Sequence, residues 1–279
     1  MKLYTTVEIS DEAAGLQIDF QGEGADEAPM DSSNIIFRAA DAVFKRVGHQ
    51  PGGLRIGITN EIPLARGLGS SAAAIVAGVV AANKLAGERL GEREILHIAY
   101  EIEGHPDNVA AAVLGGFVIT TVTSAGAVEY IKAPPSPTIR AVAVIPSFEV
   151  KTADARGVLP REFGFDDVVW NVSHASLFVA AFITGNFSSL RFAMEDRLHQ
   201  PYRESLIPGM RKVFESAMRA GAQSVSISGS GPTIIAFVNS RDAEIGQAMA
   251  KAWESEGIES RILPLELDTQ GCRIVEARS

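Results

Sequence analysis

Residues 67 to 71 read Gly67-Leu68-Gly69-Ser70-Ser71 and run straight into Ala72-Ala73-Ala74-Ile75-Val76. Glycines let a backbone turn tightly and show its N–H groups, and a helix start adds the positive end of its dipole, so the stretch suits an anion such as phosphate. A plain strand-to-helix turn with an N-cap serine uses the same residues, so the pair of glycines alone leaves both readings open. The longer string Pro63-Leu64-Ala65-Arg66-Gly67-Leu68-Gly69-Ser70-Ser71-Ala72-Ala73 contains neither G-x-x-x-x-G-K-S/T nor G-x-G-x-x-G, which excludes a Walker A loop and a dinucleotide fingerprint. Further on, Glu101 and Glu103 fall in the last turn of an expected helix. Carboxylates facing the negative dipole end cost roughly 0.3 to 1 kcal/mol each, and a nearby cation would account for them; two solvated side chains are the plainer alternative.

The eleven-residue string resembles the ATP loop of the GHMP kinases, P-x-x-x-G-L-G-S-S-A-A, at every fixed position. Glu103-Gly104-His105-Pro106-Asp107-Asn108-Val109-Ala110 looks like the E-G-H-P-D-N-V-A stretch of the homoserine-kinase branch, and Ile227-Ser228-Gly229-Ser230-Gly231-Pro232-Thr233 like its second glycine-rich loop. Thr152 to Pro160 and Gln200-Pro201-Tyr202-Arg203 to Pro208 look like segments of the same branch, so the resemblance runs along the whole chain.

It implies a two-domain α+β kinase: an amino-terminal domain, residues 1–136, like domain 2 of ribosomal protein S5, and a ferredoxin-like carboxy-terminal domain, residues 137–279. It also implies transfer of phosphate from ATP to the side-chain hydroxyl of L-homoserine, a step toward threonine. Residues 63 to 73 would hold the nucleotide. No lysine stands in that loop, so charge neutralisation falls more heavily on Mg²⁺, which prefers oxygen ligands. By resemblance those ligands are a hydroxyl of Ser70-Ser71, with Ser71 chosen, and a carboxylate, Glu103 first and Glu101 beside it. Arg156 and Arg203 match positions that grip the substrate carboxylate, a task suited to a planar guanidinium fork. Thr152, His105, Asp107 and Asn108 match residues lining the amino-acid site. Asp107 is the one candidate for a proton acceptor, though the branch is able to work by positioning alone. Two other readings share these residues: another small-molecule GHMP kinase, of the mevalonate type, and a catalytically impaired nucleotide- or amino-acid-binding protein. The second arises because the resemblance implies a strand and loop of the form P-x-S/T-x-N-L-G-x-G-F-D ahead of a segment like Leu3 to Val7. That piece is not carried ahead of Met1; it would supply an asparagine near the nucleotide and an aspartate for the substrate ammonium, and its loss would leave an open sheet edge.

Alternation at Leu3 to Ile9, Leu16 to Phe20 and Leu54 to Thr59 predicts strands, and a helix is expected over about residues 34 to 47, capped by Asp31, Ser32 or Ser33, with Ile36, Ala39, Ala40 and Phe44 inward. The helix opening at Ser70 is apolar nearly all round, so burial is expected. A helix over Glu92 to Glu103 should turn Ile95, Ile98, Ala99 and Ile102 inward; Asp107 should cap the next, which Gly115-Gly116 ends. Strands are predicted at Phe117 to Val122, Ala127 to Ile131 and Ile139 to Ile145, with the linker at Ala133-Pro134-Pro135-Ser136-Pro137. Beyond it come helices at about Asp167 to Thr184, Ser188 to Arg197 and Gly209 to Ala220. Strands at Ser224 to Ile227 and Thr233 to Val238, a helix at Asp242 to Glu254 and a strand at Ile258 to Leu263 complete the order, which favours α+β over a doubly wound sheet. Phe178, Phe182, Phe187 and Phe192 fall at helical spacings and are read as core.

The composition is that of a globular chain: 279 residues, 46% hydrophobic and 21% charged. A net charge of -9 repels phosphate backbones and anionic lipid, which argues against nucleic acid and membrane surfaces as partners. No uninterrupted apolar run reaches the roughly 18 residues of a membrane span, and no signal-peptide core follows Met1-Lys2, so the expectation is a cytoplasmic protein. The single Cys272 permits no internal disulfide and is read as an inert, structural thiol. The remaining partner the resemblance implies is a second copy, in a homodimer.

Overall fold

Strands β1 (Thr5–Glu12), β2 (Gly15–Gly22) and β3 (Gly53–Asn60) form a sheet with β3 in the middle, antiparallel to β1 and parallel to β2. Ile56 sits opposite both Ile9 and Ile18, and Ile58 opposite Val7 and Phe20, so alternation puts one apolar row on one face. Helix α1 (Ile35–Val47) buries Ile36, Ala39, Ala40, Val43 and Phe44, including every residue expected to face inward. Its cap differs from expectation. Asn34 Oδ1 accepts from Ile36 N at 2.9 Å, whereas the Asp31 carboxylate is taken by the amide and hydroxyl of Ser33 in the preceding turn.

Helix α2 (Ser70–Leu85) is buried along Ala72, Ile75, Val76, Val79 and Ala82, as an apolar helix must be. It lies so close to α1 that a Cβ on Gly78 would stand 2.8 Å from Ile36 O. Helix α3 (Glu92–Glu103) has the expected ends, but its buried stripe is Leu96, Ile98 and Ala99; Ile95 and Ile102 are half-buried because the helix is rotated toward Leu96. Helix α4 (Pro106–Leu114) begins one residue before Asp107, so His105 is its N-cap and Asp107 cannot be. A hairpin of β4 (Phe117–Val122) and β5 (Val128–Ala133) follows.

The second sheet contains β6 (Arg140–Pro146). After it come α5 (Thr152–Gly157), α6 (Phe165–Thr184), α7 (Phe187–Ala193), α8 (Gln200–Arg203) and α9 (Met210–Ala220). Strands β7 (Ser224–Ile227) and β8 (Ile234–Val238), helix α10 (Asp242–Glu254) and strand β9 (Ser260–Leu265) complete it. The antiparallel order β7-β8-β6-β9, with α9 and α10 as crossovers, is the ferredoxin-like split βαβ arrangement. Its core joins Val142, Val144, Ile234 and Ala236 of the sheet to Val213, Met249 and Trp253 of the helices. Phe182 packs edge-on against Phe237, and Phe178 lies beside both. Phe192 departs from the expected core: α7 buries Leu190 and Ala193 instead, and Phe192 is 56% exposed. Helix α6 also exposes apolar residues, among them Phe165, Val169 and Val172. By length and composition it is the one helix among the described residues that could cross a membrane. Asp166, Asp167, Asn171 and His174 interrupt it, so no uninterrupted apolar run marks it in the sequence.

The structure, a computed structural model, describes residues 1–134 and 136–275; of the expected linker, Pro135 lies outside the described residues. The chain divides into two compact units that are not the two continuous halves 1–136 and 137–279. One comprises Leu3–Leu64, Gly69–Ala133 and the segment from Asp268; the other comprises Met1–Lys2, Ala65–Leu68 and Pro134–Leu267. Hydrogen bonds explain each excursion. Lys2 N donates to Glu266 O, Arg66 pairs with Glu149 and donates to Ser147 O, and Gly116 N and Cys272 N donate to Asp268 O and Ala112 O. Burial pushes the Cys272 thiol up to about 11, which keeps it protonated and unreactive.

Candidate active site

In the amino-terminal unit, β3 ends at the buried Asn60, whose amide nitrogen donates to Glu23 O and Ile62 O and whose oxygen accepts from Thr5 Oγ1. These bonds fix the start of the loop through buried Pro63 and half-buried Leu64 to Gly69 and into α2. Gly69 stands at φ +79 as the residue before α2, and a Cβ built on it meets nothing within 4 Å. No side chain caps α2, so its first N–H groups are open to an anion at the positive dipole end. Ser71, in the first turn, donates its hydroxyl to Glu103 Oε2 at 2.7 Å, which joins the start of α2 to the end of α3. The Glu103 side chain is 11% exposed, and its other oxygen lies 3.7 Å from His105 Nε2. His105 Nδ1 in turn meets Asp107 Oδ1 at 2.5 Å, an oxygen that also accepts from Asn108 N. Asp107 Oδ2 and the Asn108 side chain make no hydrogen bond among the described residues.

Glu103 and Ser71 are therefore brought together, and His105, Asp107 and Asn108 extend the same cluster. Glu101 is not part of it. It pairs with Arg46 and His97, each at 3.4 Å, on the other side of the last turn of α3. The dipole argument singled out two glutamates, yet residues two apart on a helix do not share a face.

The carboxy-terminal unit holds the remaining candidates. Gly67 packs on the second glycine-rich loop: Ser228 Oγ donates to Gly67 O at 2.8 Å, and a Cβ on Gly67 would fall 2.1 Å from Ser228 O. The two glycines of the loop thus serve different ends, Gly67 close packing of backbone on backbone and Gly69 an open approach. Thr152, opening α5, has its hydroxyl 3.5 Å from that of Ser230. Arg203, closing α8, donates from Nε to Ala155 O at 3.1 Å and from Nη1 to Gly229 O at 2.9 Å. Two of its five N–H groups are spent on backbone, which fixes the fork and leaves Nη2 unengaged among the described residues. Burial lowers the Arg203 pKa, the Asp196 charge opposes that, and the charge of nearby Arg156 adds to it. Arg156 itself is exposed and has no side-chain partner among the described residues. Two guanidiniums close enough to feel each other's charge, with donors to spare, are chemically suited to a carboxylate.

Sequence reasoning missed two supports. Gln200 is buried, with its Oε1 accepting from Ile227 N at 3.0 Å and steadying the entry to the second glycine loop. Asp196 accepts from His199 N and Gln200 N and so caps α8. The aspartate preceding a Pro-containing turn was a capping signal available in the sequence.

The residues fit an Mg²⁺-bound nucleotide. Among the described residues no three His, Cys, Asp or Glu side chains gather as a metal cage. Mg²⁺ typically takes one or two protein oxygens and draws the rest from phosphates and water, and the Ser71–Glu103 pair is of that kind. Residues 34–116 match the N-terminal domain of the GHMP kinases and 178–259 their C-terminal domain. A homoserine kinase of Carboxydothermus hydrogenoformans is 42% identical, over 97% of this chain and 88% of its own. One of Moorella thermoacetica is 41% identical, over 95% and 89%. The crystal structure of a homoserine kinase from Cytophaga hutchinsonii matches with a TM-score of 0.85 at 34% identity, covering 95% of this chain and 86% of that one. L. major mevalonate kinase matches at 0.70 and 19% identity, a likeness of fold.

Proposed function

As the chain belongs to the GHMP kinase family, we propose that it transfers the γ-phosphoryl group of ATP to the side-chain hydroxyl of L-homoserine, giving ADP and O-phospho-L-homoserine. The observation that carries the assignment of parts is the Ser71–Glu103 hydrogen bond of 2.7 Å at an uncapped helix start beside Gly69. Phosphoryl transfer asks little covalent chemistry of a protein; it asks for positioning and for charge stabilisation. The N–H groups that open α2 hold phosphate oxygens. Ser71 and Glu103 would hold Mg²⁺, which when bound offsets the charge of the transferring group. Arg203, fixed by Ala155 O and Gly229 O, takes the homoserine carboxylate with Arg156 beside it. Thr152, His105 and Asn108 line the amino-acid site. Asp107 is the proton acceptor: His105 and Asn108 N hold one oxygen and leave the other for the substrate hydroxyl. The reading carries with it a cytoplasmic setting and a homodimeric assembly.

The test is ADP release from MgATP with L-homoserine, L-serine, L-threonine and mevalonate offered separately. Selective turnover of homoserine is expected; preference for mevalonate would reassign the acceptor, and nucleotide binding without turnover of any acceptor would leave a binding protein.

A further inference from the structure

Away from the residues assigned to substrate and nucleotide, α6, α7, α8 and α9 of the carboxy-terminal unit line an open cavity of about 660 Å³. That volume lies within the range of small-molecule sites. Met194, Met210, Phe214 and Met218 supply an adaptable apolar floor, and Trp170 one wall. The charged groups at its rim fall into two sets. Arg211 is taken by Glu204, Glu215 pairs with Arg219 at 3.9 Å, Arg197 pairs with Asp167 over the Trp170 ring, and Asp196 is filled by backbone amides and the Asn171 side chain. Arg191 and Glu195 also line the cavity, and neither side chain makes an ion pair or hydrogen bond among the described residues. One unspent cation and one unspent anion above an apolar floor match a zwitterion with an apolar tail.

We propose that this cavity binds an α-amino acid with an apolar side chain, its carboxylate at Arg191, its ammonium at Glu195 and its side chain on the methionine floor. The site is built into the support of Arg203. Gln200 and Asp196 line the cavity, Asp196 caps α8, and Gln200 holds Ile227 N at the entry to the Ser228–Gly231 loop on which Arg203 rests. Occupancy therefore moves the homoserine KM, a clause that rests on the function proposed above; binding itself does not.

Binding is read without turnover. The chain has two tryptophans, and Trp253 is fully buried with its indole N–H on Pro208 O, so Trp170 reports on the cavity. L-Methionine, L-isoleucine and L-phenylalanine are titrated at saturating homoserine. At least one gives a saturable fluorescence change that Trp170→Phe abolishes. Arg191→Ala, or amidation of the ligand carboxylate, weakens it about tenfold, the effect of one charge-assisted contact. Arg191 is exposed, and the amide arm alters the ligand alone, so misfolding cannot imitate the result. No saturable change with any of the three, a change unaffected by the amide and by Arg191→Ala, or displacement by homoserine would each overturn the proposal.

Discussion

The loop before α2 holds two glycines at nearly the same backbone angle, φ +75 at Gly67 and φ +79 at Gly69, with opposite surroundings. Replacing each by alanine separates the demands of folding from those of binding. An L-residue in the left-handed region costs about 1 to 2 kcal/mol, and both variants bear that cost. At Gly69 it is the whole cost to folding, because nothing lies within 4 Å of the new methyl. At Gly67 the methyl would stand 2.1 Å from the Ser228 carbonyl oxygen and 2.9 Å from Gly231 N, both backbone atoms that cannot swing aside. Overpacking of that kind adds roughly 1 to 3 kcal/mol. Separation of the loops would also break the Ser228 Oγ to Gly67 O hydrogen bond, for about 1 kcal/mol more. Gly67→Ala is therefore expected to lose about 3 to 6 kcal/mol against about 1 to 2 for Gly69→Ala, and its Tm should fall at least twice as far. ATP binding should reverse the emphasis: in Gly69→Ala the methyl fills the open approach, so the KM for ATP rises about tenfold or more while that for homoserine holds. Denaturant melts and a coupled ADP assay measure both. A Gly69→Ala enzyme with unchanged ATP KM, or a Gly67→Ala protein no less stable than Gly69→Ala, would refute the division of roles.

Ser71→Ala and Glu103→Gln should each reduce Mg²⁺-dependent turnover by about two orders of magnitude, the usual loss when one element of charge stabilisation goes. Glu101→Gln, which touches only Arg46 and His97 at the surface, should leave kcat within about twofold and stability within about 1 kcal/mol; initial rates across the three variants check the choice of glutamate. Arg203→Ala should raise the KM for homoserine far more than that for ATP, since it removes a contact to the acceptor alone. Equal rises would move Arg203 out of the acceptor pocket. Burial pushes the Asp196 carboxyl up, but the hydrogen bonds from Gln200, Asn171 and His199 outweigh it and hold the carboxyl below its usual range. Burial likewise lowers the His199 imidazole despite the Asp196 charge, so the unfolded chain protonates it first. The His199 contribution to stability is present above 6.5, its usual value, and is lost as pH falls below it, whereas that of Asp196 persists until the folded carboxyl protonates. Melts of His199→Gln across that acid range should show a shallower decline than the parent.

Where local periodicity and punctuation decide structure, the sequence was readable. Helices α3 and α10 and strands β4 and β7 begin and end where Gly91, Gly104, Gly116 and the flanking polar residues place them. The nucleotide loop was readable for another reason: glycines, hydroxyls and a helix start are contiguous. What escaped depends on distance along the chain. Asp31 was an eligible cap until Ser33 took its carboxylate and left Asn34 to the helix. Glu101 and Glu103 look alike until the last turn of α3 sends them to different neighbours. Phe192 has the spacing of a core residue, yet a short helix buries one side only, and Leu190 and Ala193 claim it. The parallel pairing of β2 with β3 and the division of Ala65–Leu68 from the residues on either side rest on contacts that no local pattern encodes.

That interleaving has a consequence for how the molecule is made. The unit that begins at Leu3 is not finished until the segment from Asp268 arrives to bond Gly116 and Ala112, so most of the chain must leave the ribosome before the end of α4 and the start of β4 have their last neighbour. Pro134–Leu267, by contrast, is nearly continuous and can close soon after β9 emerges. During synthesis the later segment is thus the one positioned to mature first. A chain ended before Asp268 and released from the ribosome should already resist protease across β6 to β9 while its earlier residues remain open to cleavage.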